Sequence, residues 1–298
     1  MALDTKTFRT RAITAIVFAA VMLLGLFTSF STFFILFSII HVGCWWEYLR
    51  LVEKIHNAFI AKIVKIFIII CGFTAVWILG FRHSQTDIYF NLGAFRLSFK
   101  LVFWALQLTA LYVLVLKNQD ISSKAGGMIF LGFLYISLPI TLVIHMRGMF
   151  SVPFGNNIVD IGILLPCAII FSIWINDTMA YLVGSMIGKT PLSKISPKKT
   201  WEGTGGGAIL CVVVIAILGS VIPAAKAVPV YHWIAIATIC AIFGTMGDLL
   251  ESKIKRLAGV KDSGSFMPGH GGFLDRFDSF LLATPFVWLY VQLFMVGS

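Results

Sequence analysis

The chain has 298 residues, of which 59% are hydrophobic and only 12% are charged. A soluble domain carries about 25% charged residues, so this composition excludes a soluble globular protein and indicates an integral membrane protein. The formal net charge of +10 could suggest a nucleic-acid partner, but in a membrane protein it is more typical of basic cytoplasmic loops. We therefore expect a lipid bilayer, and no nucleic acid, as a partner of the chain.

Nine apolar segments of about 20 residues follow one another along the chain. They lie at 12–28, 31–49, 60–80, 98–116, 126–146, 159–187, 204–222, 231–250 and 279–297. Apolar runs of this length predict transmembrane helices and not the alternating strands of a membrane barrel. We predict an all-α, polytopic integral membrane protein with about nine transmembrane helices, and one membrane domain over residues 1–298. Its N-terminal helices occupy 1–150, and the polar motifs lie at 171–280.

The first apolar segment has some features of a signal peptide, but we interpret it as a retained helix. It follows Lys6, Arg9 and Arg11, as the apolar core of a signal peptide would. It is longer than such a core, and no A-x-A cleavage site is evident after it. No organelle transit peptide is evident either, which favours a bacterial inner membrane.

Lys and Arg residues are distributed unevenly between the two sides of this arrangement. The N-terminus and the loops after segments two, four, six and eight hold 18 of the 23, and the opposite side holds five. The positive-inside rule then predicts a cytoplasmic N-terminus and a non-cytoplasmic C-terminus. It also places the loops at 188–203 and 251–278 in the cytoplasm, and the unusual polar residues lie in or beside these two loops.

The five cysteines all lie within apolar runs and form no C-x-x-C pair. They are Cys44, Cys71, Cys167, Cys211 and Cys240. Neither disulfide bonds nor a zinc site is therefore expected.

The first polar motif is WINDTMAYLVGSMIG at 174–188. Asp177 lies inside a predicted span, where a central aspartate costs about 2.5–3.5 kcal/mol on insertion scales. A carboxylate kept there must face the bundle interior, pair with a cation or line a wet cavity. One interpretation is a polar packing pair formed by Asn176 and Asp177. The other, which is the default for an ionisable residue within a membrane, is a functional site.

The second polar motif is SPKKTWEG at 196–203. Lys198 and Lys199 follow a helix-breaking proline and present two adjacent cations, which suit phosphate. Glu202 could hold one of these lysines in place. By itself, a lysine pair at a cytoplasmic membrane edge is more often a topology anchor, so both interpretations stay open.

The third polar motif spans 247–279, from GDLLESKIKRLAG to GHGGFLDRFDS. Asp248, Glu251 and Lys255 share one helix face by their spacing, and Asp275 and Asp278 are three residues apart at the start of the last helix. Such carboxylates suit Mg²⁺, which proteins usually hold with one or two carboxylates together with substrate phosphates.

A glycine-rich stretch precedes the last two aspartates of this motif. Gly269, Gly271 and Gly272 allow the backbone to approach a ligand closely, and backbone N–H groups just before a helix can bind an anion. His270 could donate to a phosphate or cap the turn. A flexible loop with solvated charges is the alternative interpretation for the basic residues nearby, which are Lys253, Lys255, Arg256 and Lys261. The glycines and aspartates together predict a site for a polyanion and a divalent cation at the membrane surface.

The third motif resembles the signature of CDP-diacylglycerol synthases, also called phosphatidate cytidylyltransferases. The similar positions are SKIKR at 252–256, KD at 261–262, Gly264, HGG at 270–272 and DRFD at 275–278. The first two motifs are similar to that family's other motifs, in the same order. Met267 departs from the family's usual Ile, Leu or Phe, which is a mild apolar exchange. The clear resemblance covers 171–280, and upstream only WWEYL at 45–49 is similar.

The resemblance implies a membrane enzyme that makes CDP-diacylglycerol and diphosphate from CTP and phosphatidic acid, requires Mg²⁺ and works as a homodimer. Its active site would face the cytoplasm. By motif position, Asp248 and Asp275 would be the metal ligands. The implied catalytic residues are Asp177, Lys198, Lys199, Glu202, Lys255, Arg256 and Asp278. The implied substrate-binding residues are Gly269, His270, Gly271, Gly272 and Arg276.

Three other functions are alternatives to this one. A transporter or ion channel would spread polar residues across several spans, whereas here they gather at one cytoplasmic end. A CDP-alcohol phosphotransferase would carry a D-G-x2-A-R-x8-G-x3-D-x3-D pattern, which is absent. A CTP-dependent enzyme acting on another lipid phosphate or on a polyprenol stays open, because only assays with competing lipids separate it.

Overall fold

The computed structural model describes the chain in seven segments. They are residues 5–80, 89–92, 95–148, 152–154, 157–159, 161–266 and 271–296. Within these segments the chain forms eleven α-helices and one π-helical turn. The α-helices are α1 (Thr5–Phe27), α2 (Phe30–His56), α3 (Lys62–Gly80), α4 (Phe99–Lys117), α5 (Ser123–Gly132), α6 (Leu138–Arg147), α7 (Leu164–Ile187), α8 (Trp201–Val221), α9 (Pro223–Lys226), α10 (Val230–Leu257) and α11 (Leu274–Phe294). The π-helical turn, Phe133–Ser137, joins α5 to α6.

Six helical segments are long and apolar enough to cross a membrane, among the residues that the structure describes. They are Phe30–His56, Ser123–Arg147, Ile161–Ile187, Trp201–Val221, Val230–Leu257 and Leu274–Phe294. Shorter apolar stretches lie within α1 and α4. Each of the nine predicted segments overlaps a helix, so the chain is a helical, multi-pass membrane protein as predicted. The count of nine spans and the sidedness of the termini stay predictions.

Two short antiparallel hairpins add strands that the all-α prediction did not include. β1 (Tyr89–Leu92) pairs with β2 (Phe95–Ser98) between α3 and α4. β3 (Val152–Phe154) pairs with β4 (Asn157–Val159) between α6 and α7. Both lie in connections between the predicted spans. At three or four residues a strand, these segments are too short to give a clear alternating pattern in the sequence.

The π-helical turn widens the middle of the Ser123–Arg147 span for a local reason. Pro139 has no N–H to donate, and its ring would clash with the carbonyl four residues back in a regular α-helix. The wider turn avoids this clash, and the Leu138 N–H donates five residues back to Phe133 O. Ser137 at the end of the turn accepts a 2.9 Å hydrogen bond from Trp45 Nε1. The turn thereby fixes α2 against this span.

Helices α7 and α8 lie unusually close because glycines face the contact. Gly203 and Gly207, four residues apart on α8, are buried. A Cβ atom at Gly207 would meet the backbone of Ala180 on α7, and one at Gly203 would meet Ala180 and Gly184. Such small-residue spacing lets membrane helices approach closely. The contact brings the C-terminal half of α7, which carries Asp177, beside the start of α8.

Candidate active site

A cavity of about 560 Å³ opens where the ends of four helices meet. It is lined by the C-terminal half of α7, the loop before α8, the C-terminal half of α10 and the first turn of α11. Its charged lining residues are Asp177, Lys198, Lys199, Asp248, Asp275, Arg276 and Asp278. All seven were predicted site residues, and the structure brings them together from sequence positions about 100 residues apart.

The lysine pair lies in an ordered loop rather than a loose tail. Leu192 N donates to Lys199 O at 2.7 Å, and Trp201 N donates to Thr190 O at 2.9 Å. Lys199 Nζ forms an ion pair with Asp248 Oδ2 across the cavity. Lys198 also lines the cavity, and among the described residues no carboxylate is paired with it. The positive charge of Lys199 is therefore partly neutralised by a carboxylate, whereas that of Lys198 is not, among the described residues.

Glu202 is placed differently from the expectation that it would hold a lysine. Its carboxylate accepts hydrogen bonds from Thr190 N at 3.1 Å and from Thr190 Oγ1 at 2.8 Å. It also accepts one from Lys189 N at 3.2 Å. These donors lie at the end of α7, so Glu202 fastens the loop to the start of α8. It is not part of the cavity wall.

Three aspartates present oxygen atoms to the cavity from three helices. Asp177 on α7 lines the cavity, next to the buried Asn176. Asp248 on α10 has one oxygen paired with Lys199 and accepts a long 3.3 Å hydrogen bond from Ser252 on the other. Asp278 on α11 is buried, and its Oδ1 accepts from Ser279 N at 2.6 Å.

Asp275 is the most heavily hydrogen-bonded carboxylate of the cavity. Its Oδ2 accepts from Gly272 N at 2.7 Å and from the backbone N of Ser263 at 2.9 Å, and the Ser263 hydroxyl oxygen also lies 2.9 Å from it. Its Oδ1 accepts from Lys255 Nζ at 2.7 Å. An ionised carboxylate has about four lone-pair sites, so only Oδ1 keeps capacity for a further contact.

Lys255 and Arg256 lie outside the cavity wall, although both were expected to line the substrate site. Lys255 bridges two carboxylates, Glu251 at 2.6 Å and Asp275 at 2.7 Å. Glu251 is fully buried, so this lysine also supplies the countercharge that a buried carboxylate needs. Arg256 Nη1 donates to Val260 O at 3.1 Å and closes the turn after α10. Their placement is that of supports for Asp275 and for the turn.

The glycine-rich stretch serves the chain's own carboxylates. Gly269 and His270 lie outside the described residues. Gly271 adopts a positive φ of 83°, and the Gly272 N–H donates to Asp275. The next two N–H groups, of Phe273 and Leu274, donate to Glu47 on α2 at 3.0 and 2.9 Å. The expected phosphate cradle is therefore filled by protein carboxylates at these three amides.

Glu47 is the functional candidate that the sequence interpretation missed. Its carboxylate is only 5% exposed and contacts the α10–α11 connection from the other half of the chain. A signal for it existed, because a glutamate in the apolar run 31–49 is an intramembrane ionisable residue like Asp177. In the sequence it is part of WWEYL at 45–49.

The carboxylates of the cavity are of a kind that could hold a magnesium ion together with substrate phosphates. Among the described residues, no group of three or more His, Cys, Asp or Glu side chains is placed to hold a metal. Mg²⁺ usually binds one or two carboxylates plus substrate phosphates. Asp248 and Asp275 line the same cavity, and Asp275 Oδ1 accepts only one of the hydrogen bonds described for this carboxylate. The donor set is therefore suitable.

Comparison with known proteins agrees with this arrangement. A model of the cytidylyltransferase family matches residues 9–294, nearly the whole chain. The chain belongs to this cytidylyltransferase family. The match includes the N-terminal helices, where the sequence interpretation found little resemblance, as well as the motif region.

Several phosphatidate cytidylyltransferases are similar to this cytidylyltransferase-family chain. The protein of Bacillus subtilis (strain 168) is 36% identical over 196 residues, which is 65% of this chain and 68% of that protein. The Synechocystis protein is 32% identical over 229 residues, covering 70% and 72% of the two chains. The chloroplastic phosphatidate cytidylyltransferase 4 of Arabidopsis thaliana is 42% identical over 116 residues, but this covers only 39% of the chain and 29% of the relative.

Proposed function

We propose that the chain is a phosphatidate cytidylyltransferase, which transfers CMP from CTP to phosphatidic acid and gives CDP-diacylglycerol and diphosphate. The observation that carries the proposal is the cavity itself. In a chain of the cytidylyltransferase family, it gathers four carboxylates and three cations at the shared end of apolar helices. A lipid phosphate and a nucleotide can meet there, with the acyl tails remaining in the bilayer.

The chemistry needs no nucleophilic side chain from the protein. The phosphate of phosphatidate is largely dianionic near neutral pH, because the second pKa of a phosphomonoester is about 6. One of its oxygens attacks the α-phosphorus of CTP, a new P–O bond forms, and the bond to the β-phosphate breaks to release diphosphate. Catalysis of phosphoryl transfer rests mainly on positioning and charge stabilisation, since two polyanions must approach each other.

The three cations of the cavity would provide this charge stabilisation. Lys198 meets an incoming phosphate without first breaking an ion pair among the described residues. Arg276, on the first turn of α11, presents a planar guanidinium suited to bidentate phosphate contacts. Lys199 holds Asp248 and adds its positive charge to the same cavity.

Asp248 and Asp275 are the residues that would hold Mg²⁺ with the CTP phosphates. When bound, the ion supplies Lewis-acid stabilisation of the phosphate oxygens and of the leaving diphosphate. Asp278 and Asp177 line the same cavity. The hydrogen bonds from Ser263 and Gly272 keep the Asp275 carboxylate in one orientation before the substrates arrive.

The cell placement and assembly of the chain belong to the same proposal. The site faces the cytoplasm of a bacterial inner membrane, where CTP is present and where the positive-inside rule places these loops. The chain works as a homodimer. Cross-linking in native membranes, followed by separation on a denaturing gel, tests this last point, and a purely monomeric product at all cross-linker concentrations would contradict it.

The experiment that tests the activity is release of diphosphate from CTP by the purified protein, with and without phosphatidate in mixed micelles. The expected result is release that depends on phosphatidate, with CTP favoured over UTP and ATP. Parallel reactions with polyprenyl phosphate and with other lipid phosphates identify the acceptor. Faster turnover of a polyprenyl phosphate would contradict phosphatidate as the substrate, and no turnover of any lipid would contradict the transfer reaction.

A further inference from the structure

Glu47 is a charged residue buried in an apolar helix, and it makes no contact with the cavity wall itself. A buried carboxylate is costly unless hydrogen-bond donors surround it. Here the donors all come from one connection, between α10 and α11, which lies more than 200 residues away in sequence. Glu47 therefore attaches that connection to α2 through hydrogen bonds between residues far apart in the sequence.

The two oxygens of Glu47 receive different donors. Oε1 accepts from Phe273 N at 3.0 Å, and Oε2 accepts from Leu274 N at 2.9 Å. Both amides belong to the start of α11, where N–H groups lack partners within the helix. The carboxylate thus caps the N-terminus of α11 at Leu274, one residue before Asp275. It thereby fixes the position of the Asp275 backbone.

Ser263 extends the fastening to the side chain of Asp275. Its hydroxyl oxygen lies 2.7 Å from Glu47 Oε2 and 2.9 Å from Asp275 Oδ2. Its backbone N–H donates to the same Asp275 oxygen at 2.9 Å. A continuous chain of hydrogen bonds therefore runs from α2 through Ser263 to a carboxylate in the cavity wall.

Two glycines of the connection leave room for the Glu47 carboxylate. A Cβ atom at Gly264 or at Gly272 would collide with the Glu47 side chain. These two glycines lie on either side of the part of the connection outside the described residues. They show, independently of the hydrogen bonds, that the backbone of the connection lies directly against the Glu47 carboxylate.

From these contacts we infer that Glu47 is a positioning residue for the transfer reaction, acting through Asp275 and the first turn of α11. The inference rests on the proposed function. Glu47 is not among the residues that line the cavity, and its effect is to hold the Asp275 carboxylate, which does line it, in one orientation. A misplacement of about 1 Å at a reacting centre can lower a rate by about 10²-fold, so a fixed support matters here.

Glu47→Gln is a sharp test because both oxygens accept backbone N–H groups. The amide has one acceptor oxygen, so in either rotamer its NH₂ group faces another donor, Phe273 N or Leu274 N. Glu53→Gln is the matched control on the same helix. The Glu53 oxygens accept from Ile60 N at 2.9 Å and Lys65 Nζ at 2.6 Å, so the same substitution breaks the same kind of contacts far from α11.

The first measurement is hydrogen–deuterium exchange of peptides covering 271–275 in the purified protein without substrates. Glu47→Gln should speed exchange there, and Glu53→Gln should leave it as in the wild type. The second is turnover per folded molecule, for which kcat should fall about tenfold to 10²-fold in Glu47→Gln, with the phosphatidate KM little changed. Wild-type exchange and turnover in Glu47→Gln would overturn the inference, and so would a lower Tm with unchanged turnover.

Ser263→Ala provides a second variant that keeps both backbone amides on Glu47. It removes one hydrogen-bond link and should lower kcat by about fivefold, whereas Ser265→Ala, at an exposed position of the same connection, should not. Equal turnover in these two variants would contradict the link through Ser263. If the wild-type protein released no diphosphate, the proposed function would be wrong, while the exchange measurement would still decide whether Glu47 holds the start of α11.

Discussion

Lys198 and Lys199 are neighbours in sequence but enter the cavity with different partners. Lys199 is paired with Asp248, so a phosphate that binds it must share the lysine with that carboxylate or displace it. Lys198 has no such partner among the described residues and offers its full charge to an incoming anion. The two lysines are therefore expected to bind phosphate in different ways.

Separate substitution of the two lysines should reveal these roles. Lys198→Gln should lower kcat/KM for CTP by about 10²-fold, as loss of one donor to a developing charge does in other enzymes. Lys199→Gln should do the same and should also leave Asp248 without its ion-pair partner. Both variants are measured by diphosphate release at several CTP concentrations.

The exposed Lys194 in the same loop is the control for this experiment. Lys194→Gln should keep wild-type turnover, because it lies outside the cavity wall. Near-normal turnover of the Lys198→Gln, Lys199→Gln double variant would mean that the pair is only a topology anchor.

The two proposed metal ligands should behave as one unit. Asp275→Asn and Asp248→Asn should each lower turnover by about two or more orders of magnitude, since a metal ion supplies several kcal/mol and each 1.36 kcal/mol is tenfold in rate. The double variant should be scarcely worse than either single one. Turnover is measured across a range of Mg²⁺ concentrations, after removal of metal by a chelator and after its return.

Asp120→Asn, at an exposed loop position, is the control and should match the wild type at every Mg²⁺ concentration. Normal CTP turnover by Asp275→Asn at low Mg²⁺ would remove Asp275 as a metal ligand. It would leave the residue as a structural partner of Lys255 and Ser263.

The contact between α7 and α8 sets the width of the cavity at the level of whole helices. Asp177 projects from one of these helices, and Lys199 lies two residues before the start of the other. Gly203 and Gly207 allow the close approach, since a Cβ at either would meet the backbone of α7. The distance between Asp177 and Lys199 therefore depends on having glycine, and not alanine, at positions 203 and 207.

Gly207→Ala should separate the helices and lower both stability and turnover. Overpacking of this kind costs about 1–3 kcal/mol. Any outward movement of α8 would also move the loop before it, which carries Lys198 and Lys199. Gly205→Ala is the matched control, because a Cβ there has open space on the same helix. It should be neutral or stabilising by up to about 1 kcal/mol, owing to the better helix propensity of alanine.

Thermal unfolding in detergent and turnover at saturating CTP are the two measurements for these glycine variants. Equal Tm and equal turnover for the alanines at 205 and 207 would show that the close approach is not needed for either property.

Sequence patterns predicted the helices well but not all of their ends. Apolar runs identify the spans, because a membrane interior demands about 20 apolar residues. The polar ends are harder to predict, since α10 continues through KIKRL to Leu257 and α11 begins at Leu274, five residues before the predicted apolar segment. These extensions depend on tertiary partners, such as Lys255 with Asp275, which composition does not reveal.

Across the whole molecule, the described polar contacts of the site lie at one common end of the bundle. Charged residues from α7, the loop before α8, α10 and α11 line one cavity. Glu47 on α2 lies outside the cavity wall and binds the backbone at the start of α11. The residues of the cavity were predictable, because each interrupts an apolar pattern with chemistry suited to phosphates or metals. The support by Glu47 was not, since a contact across 226 residues leaves no spacing signal.

The predicted orientation can be tested on the intact chain. A reporter fused after Ser298 should be found on the non-cytoplasmic side, and a cysteine at Ser193 should be labelled only from the cytoplasm. All five native cysteines are buried, so background labelling should be low. A cysteine at the exposed Ala224 is the counterpart and should be labelled only from the opposite side. A cytoplasmic C-terminus would mean that the number of spans is even.

The fastening of α2 to the α10–α11 connection also bears on how the chain is made. Ribosomes deliver α2 to the membrane long before residues 263–274 are synthesised, so Glu47 spends most of translation without the three donors that it has in the finished protein. During that interval its carboxylate needs other hydrogen-bond donors, such as water near the membrane surface. Insertion of the last helix therefore supplies both the α11 wall of the cavity and two of the donors that Glu47 has in the finished protein, so that an unfinished chain is structurally distinct from a finished one.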